Sequence, residues 1–330
     1  MSFDVTRRQL LATGAAAATL PLLGDRASAQ GAWPNKPIKV VVGYPAGGQT
    51  DHIARTYGDF LSRQLGQPVV VDNKAGAGGT VGAVEVKRAP PDGYTLMCTI
   101  STTLVLNRGT MKNLPYDPEK DFIVFSAITG AGLQLAASEK CGAKTLKEFI
   151  DYAKKNGKAS IGSYAAGSGA HMIILELNKQ YGVNIEAVNY RGEAPMWADL
   201  ASQSIDAAIG SYNAGLGVLQ TGRARAIAVT GTRRLKILPD VPTMEEQGAT
   251  SRLYALRGFT GWGAPAGTPM EIVKKLSELM VAGGKDPKVQ EVLATFDLDP
   301  PMSFDETQKL LTEETPLWLK FMADLGFKPE

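Results

Sequence analysis

The chain has 330 residues, with 35 Lys and Arg against 33 Asp and Glu, a formal net charge of +2. So near-neutral a chain, without a basic run, lacks the electrostatic footprint of a nucleic-acid or anionic-membrane binder. Its length suits about two domains, each able to bury a core. The two cysteines, Cys98 and Cys141, stand apart without a motif and read as unpaired structural thiols, with a disulfide left open.

Residues 1–29 read as an export leader. Thr6-Arg-Arg-Gln-Leu-Leu11 is a twin-arginine pattern, an apolar stretch follows over 10–23, and Ala27-Ser-Ala29 offers a small-x-small cleavage site. Gly14 and Pro21 interrupt the apolar part, which is too short for a membrane span. A periplasmic protein without direct membrane insertion is expected.

The next stretch, 38–65, organises the rest. Residues 38–43 are rich in Val and Ile and predict a strand, and Pro45-Ala-Gly-Gly48 predicts a turn. Ile53, Ala54, Tyr57, Phe60, Leu61 and Leu65 then recur at helical spacing. A helix start leaves N–H groups unpaired, at the positive end of its dipole, and Gly47 and Gly48 leave that backbone open to an anion. Thr50 or Asp51 is expected to cap the helix. Tyr44, Pro45, Ala46, Gly47, Gly48, Thr50 and Asp51 are therefore candidate ligand contacts.

The pattern repeats. A strand over 68–73 leads into a second glycine turn, 74–79, which adds Ala77, Gly78 and Gly79 to the candidates. A short helix over 80–89, a turn at 90–93 and a strand over 94–100 follow. That strand ends in the hydroxyl-rich loop Ser101-Thr-Thr103, from which Ser101 and Thr102 are candidates. In a parallel sheet these loops share one edge.

Apolar runs over 122–128 and 133–138, separated by Thr129-Gly-Ala-Gly132, suggest a crossing between domains. A second α/β series then begins. Thr145 caps a helix to about 156, a strand spans 159–163, and a glycine and serine turn precedes a helix over 171–181. Strands at 185–190, 205–210 and 224–230 alternate with helices ending near 202 and 221, the alternation of a parallel sheet. A proline-bounded turn into a short helix is expected over 238–246, and a strand over 256–264. Helices over 270–282, 287–296 and 304–325 close the chain. The last carries an apolar stripe, and Pro316 is expected to kink or split it.

Catalytic signatures are missing. Gly76-x-Gly78 with Gly82 is not G-x-G-x-x-G, no Walker motif or G-x-S-x-G occurs, and two His with two Cys make no metal cage. His52 and His171, the only histidines, fall in or beside first turns of predicted helices. The chain is rich in places to hold an anion and poor in groups to transform one.

Seven ordered segments carry a family resemblance. Tyr44-Pro-Ala-Gly-Gly-Gln-Thr-Asp51, Val70-Val-Asp-Asn-Lys-Ala-Gly-Ala-Gly-Gly79 and Pro91-Asp-Gly-Tyr-Thr-Leu96 open the series. Tyr190-Arg-Gly192, Thr221-Gly-Arg-Ala-Arg-Ala-Ile-Ala-Val229, Leu238-Pro-Asp-Val-Pro-Thr243 and Gly263-Ala-Pro-Ala-Gly-Thr-Pro269 complete it. Together they resemble the Bug family, periplasmic solute receptors of tripartite tricarboxylate transport systems.

The resemblance implies an α/β, two-domain periplasmic binding protein with parallel or mixed sheets flanked by helices and a ligand cleft between. Domain 1 would be discontinuous, 37–128 plus 256–330, and domain 2 would span 132–250. The loops around 45–51 and 75–79 would hold a ligand carboxylate. Carried over by position, Ser163, Ser168, His171, Tyr190, Arg191 and Ser211 would grip the other end. Where many relatives carry phenylalanine or an acidic residue, Gly210-Ser211 implies a smaller, more hydroxylated wall.

The expected function is capture of a small organic carboxylate by domain closure and delivery to the membrane subunits of a tripartite tricarboxylate transporter. No catalysis, cofactor or metal is expected, and the receptor is expected to be a monomer that binds no nucleic acid. The alternatives are the same fold serving a signalling partner, or a periplasmic hydrolase using His171 or His52.

Overall fold

The computed structural model describes residues 33–130 and 132–329; the predicted leader lies outside the described residues. Strands form at short runs of β-branched or small apolar residues. In chain order they are β1 Ile38–Val42, β2 Val69–Asn73, β3 Thr95–Ile100, β4 Phe122–Thr129 and β5 Gln134–Ser138. β6 Ala159–Ser163, β7 Ile185–Asn189, β8 Ala207–Gly210, β9 Ala224–Val229 and β10 Phe259–Pro265 follow.

Two five-stranded sheets result, ordered β2-β1-β3-β10-β4 and β7-β6-β8-β5-β9. Val40, Val41 and Val42 are each 0% exposed, because helices cover both faces, so β1 reads as a continuous apolar run instead of an alternating one. Both sheets are mixed. β10 is antiparallel to β3 and β4, and β5 is antiparallel to β8 and β9. The cause is connectivity: β4 leads out of the first sheet directly into β5, and the segment after β9 leads back into β10. A strand that enters at the edge where its neighbours leave must run opposite to them.

The helices of eight residues or more begin with α1 Gln49–Leu65 and α2 Thr80–Lys87 in the first half. The middle of the chain supplies α3 Leu146–Asn156, α4 Gly169–Tyr181, α5 Glu193–Ala201 and α6 Tyr212–Gln220. The last three are α7 Met270–Gly283, α8 Pro287–Thr295 and α9 Phe304–Asp324. α7 and α9 pack on β4, and α8 packs on α1, so the C-terminus returns to the first sheet.

Local capping is partly as expected. Thr145 caps α3 by accepting from the Glu148 N–H. The cap of α1, however, is Gly48, and neither Thr50 nor Asp51 fills that place. Asp51 lies in the first turn and reaches back to the Gly47 N–H at 2.9 Å.

Three further expectations give way. Ser101-Thr-Thr103 is no loop: a helical stretch Thr102–Leu106 runs on through Asn107–Thr110, with Thr102 and Thr103 buried. Residues 238–246 form turns without a helix. α9 continues through Pro316, which is exposed, while Trp318 and Met322 just beyond it are buried in the core. Packing of that stripe outweighs the lost backbone hydrogen bond.

Candidate functional site

β1 and β2 pair in parallel with Val42 opposite Asn73, so the loops after them leave the same edge of the first sheet. At the corresponding edge of the second sheet lie the loops after β6, β7 and β8. Between these edges is a cavity of about 490 Å³. Of the residues predicted for the site, Tyr44, Pro45, Ala46, Gly47, Gly48, Thr50 and Ser101 line it from the first sheet, and Arg191 and Ser211 from the second.

The turn before α1 is built to present backbone. Gly47 is left-handed at φ 81° and Gly48 is extended, which aims the first turn of a 17-residue helix at the cavity. Asp51 holds this turn in place. Its buried carboxylate accepts from the Gly47 N–H, from Arg55 at 3.1 Å and from Asn73 at 3.0 Å. Burial alone would push the Asp51 pKa up, but these three donors outweigh it and hold the carboxyl below its usual range. Asn73 also donates to the Tyr44 carbonyl at 3.1 Å, tying the turn to the end of β2.

Asp51, Ala77, Gly78, Gly79, Thr102, Ser163, Ser168, His171 and Tyr190 are not among the cavity-lining residues. Most of their polar groups are engaged elsewhere, although Thr102 Oγ1 is buried without a hydrogen-bond partner among the described residues. The Gly78 carbonyl accepts from Tyr44 Oη at 3.1 Å, Thr103 Oγ1 at 2.9 Å and Asn107 Nδ2 at 3.1 Å. Gly79 packs against Thr103, and a Cβ on Gly43 would stand 3.0 Å from Gly79 Cα. The second glycine turn thus braces Tyr44 from behind.

In the second sheet's loops, Ser163 Oγ meets Asn189 Oδ1 at 2.5 Å, and Ser168 caps α4. His171 Nδ1 accepts from the Gly167 N–H at 3.0 Å, and the ring packs edge-on against Phe327 at 5.0 Å. Burial pushes the His171 pKa below its usual value, so the ring is neutral at neutral pH. Tyr190 donates to Asp199 at 2.7 Å. Arg191 is exposed at the cavity and forms no ion pair among the described residues.

Sequence reasoning missed Glu193 as a site residue, although it lines the cavity. Ser211 donates to it twice, from the backbone N–H and from the hydroxyl, at 2.6 Å each. Burial pushes the Glu193 pKa up, against the pull of those two bonds. As the first residue of α5, an acid at that position reads as an ordinary partner of the helix dipole. Only the fold shows that it faces a cavity.

The segments joining the sheets also reach the cavity, through Gly130, Thr230 and Arg257, and Asp297 reaches it from the loop after α8. Arg233 grips Asp297 with two bonds, at 3.1 and 3.2 Å, and the Lys236 N–H adds a third at 3.0 Å. Arg257 donates to Asp299 at 2.5 Å and to the Gly130 carbonyl at 3.2 Å. These contacts fasten both crossings to the loop after α8.

The chemistry offered is recognition by backbone donors, hydroxyls and a few placed charges. His52 lies against Phe296 at 5.8 Å, and the described residues hold no group of three or more potential metal ligands. Both cysteines are free, Cys98 buried and Cys141 half-buried. Among the described residues no helix is long and apolar enough to cross a membrane.

Comparison with known proteins agrees with this architecture. Residues 53–327 match the family described as the tripartite tricarboxylate transporter family receptor. BugT of Bordetella pertussis is 30% identical over 299 residues, spanning 90% of this chain and 91% of that protein. The periplasmic binding protein BugD has a TM-score of 0.82 at 30% identity, spanning 90% of this chain and 100% of that one. Rpa4515 of R. palustris, solved with adipate, has a TM-score of 0.85 at 30% identity over the same shares. With a match that runs from the first long helix to the last, the chain belongs to the tripartite tricarboxylate transporter family of receptors.

Proposed function

We propose that this chain is a periplasmic receptor that captures a small organic carboxylate and delivers it to a tripartite tricarboxylate membrane transporter. The observation that carries the reading is the Gly47–Gly48 turn, which presents the start of α1 to a cavity between two sheets. A carboxylate there meets unpaired N–H groups and the positive end of a helix dipole. The adipate bound to the similar Rpa4515 is a ligand of the same chemistry.

Residues 37–128 with 256–330 form one lobe and 132–250 the other, and they close on the ligand about the two crossings. The 1–29 leader directs export, and the receptor works without catalysis. A thermal-shift screen of alkanoates, dicarboxylates and amino acids against matched amides tests the reading. A carboxylate that binds only the folded chain must raise its apparent stability, by about 2.7 kcal/mol at a hundred times its Kd. Carboxylates should shift the melting temperature, the amides should not, and the ligand should be recovered unchanged. Silence across the screen, or recovery of a converted ligand, would overturn the proposal.

A further inference from the structure

We infer that the second-sheet wall of the cavity selects a ligand whose end opposite the carboxylate is a protonated amine, with Glu193 as its acceptor. This rests on the receptor reading above and names the class of ligand.

The Glu193 carboxylate is a built feature. One of its oxygens accepts from the Ser211 N–H and the other from the Ser211 hydroxyl, both at 2.6 Å. Both bonds favour the ionised form of the acceptor, against the burial that opposes it. Each carboxylate oxygen accepts more than one bond, so both keep capacity for a further donor. Room for the group is made by Gly210, where a Cβ would stand 2.8 Å from Glu193 Oε1.

What Glu193 lacks is a cation. It forms no ion pair among the described residues. The nearest charged residue in sequence, Arg191, is exposed, and the loop after β6 contributes the phenol of Tyr164. A half-buried carboxylate without a counter-charge is costly, and its raised pKa records that cost. A ligand ammonium supplies the missing charge and occupies the free lone pairs.

The opposite wall has the reverse polarity. The turn at Gly47–Gly48 ends in the positive pole of α1, and the one carboxylate beside it, Asp51, is already held by Arg55, Asn73 and the Gly47 N–H. A cavity with a positive pole on one wall and a negative pole on the other fits an amino carboxylate. A dicarboxylate would set its second charge against Glu193, a like-charge contact that disfavours binding.

The test is calorimetric titration at neutral pH with three matched series, three to six carbons long: unbranched alkanoates, their ω-amino derivatives and the corresponding dicarboxylates. At the best length the ω-amino acid should bind at least about tenfold tighter than either counterpart. Glu193→Gln should remove that preference, bringing the ω-amino acid to within about twofold of the alkanoate. Circular dichroism checks that the variant folds. If it does not, Ser211→Ala, which frees the carboxylate, should reduce the same preference.

Tighter binding of alkanoates or dicarboxylates at every length would overturn this inference and leave the receptor reading standing. So would an amino preference that survives folded Glu193→Gln. No binding by any series would remove both.

Discussion

Gly79 sits directly against Thr103: a Cβ on Gly79 would overlap Thr103 Oγ1, and the backbone there is left-handed at φ 86°. Thr103 has no room to yield, since it is buried and its hydroxyl bridges Thr99 Oγ1 at 2.7 Å and the Gly78 carbonyl at 2.9 Å. Gly79→Ala should therefore destabilise the fold by about 2–4 kcal/mol, combining left-handed strain with overpacking. Urea unfolding measures it, and an unchanged midpoint would mean that the loop moves freely off the helical stretch 102–110.

Gly47 presents the opposite case. Nothing lies within 4 Å of a Cβ placed there, so only the backbone at φ 81° resists a side chain. Gly47→Val should fold, with a loss of about 1–2 kcal/mol. Its turn can no longer aim the start of α1 into the cavity, so affinity for any carboxylate that stabilises the wild type should fall by at least about tenfold. Calorimetric titration of the folded variant decides it; equal affinities would move the anion site elsewhere.

Asp51 makes stability depend on pH in a defined direction. Burial would raise its pKa, but Arg55, the Gly47 N–H and Asn73 hold it below the ordinary 3.8. A folded pKa below the unfolded one adds stability that is full above 3.8 and is lost as pH falls through the lower folded value. Asp51→Asn should cost about 1–2 kcal/mol at neutral pH, discounted because Arg55 is half exposed. The gap between wild type and variant should narrow below pH 3.8. A gap that stays constant into acid would show that the carboxylate charge is irrelevant to the turn.

Arg191 stands exposed at the cavity without an ion-pair partner among the described residues. A rim cation acts on encounter more than on residence. Arg191→Ala should slow association of an anionic ligand about threefold at low ionic strength, with the effect fading in salt and dissociation unchanged. Stopped-flow titration at two ionic strengths measures both rates. A selective loss for dicarboxylates, about 2 kcal/mol for a lost bidentate contact, would instead place Arg191 on a second ligand carboxylate.

By itself, the sequence determined the features that neighbours along the chain decide. The switch from a Val and Ile run to glycine and then to helical spacing placed β1, its turn and α1, because period and turn chemistry are local. The Thr145 cap and the strand Ala159–Ser163 were legible for the same reason. What escaped it was set by partners far apart in the chain. β10 entered between β3 and β4 only once the crossing returned it to the first sheet. Thr102 and Thr103 read as loop residues, yet both are buried in a helical stretch, with Thr103 packed against Gly78 and Gly79. Ser211 found Glu193, 18 residues away, and Arg233 found Asp297, 64 residues away, through the meeting of sheet edges and crossings. A side chain's type states what bonds it can form, but only the packed sheets decide which group stands at the distance to form them.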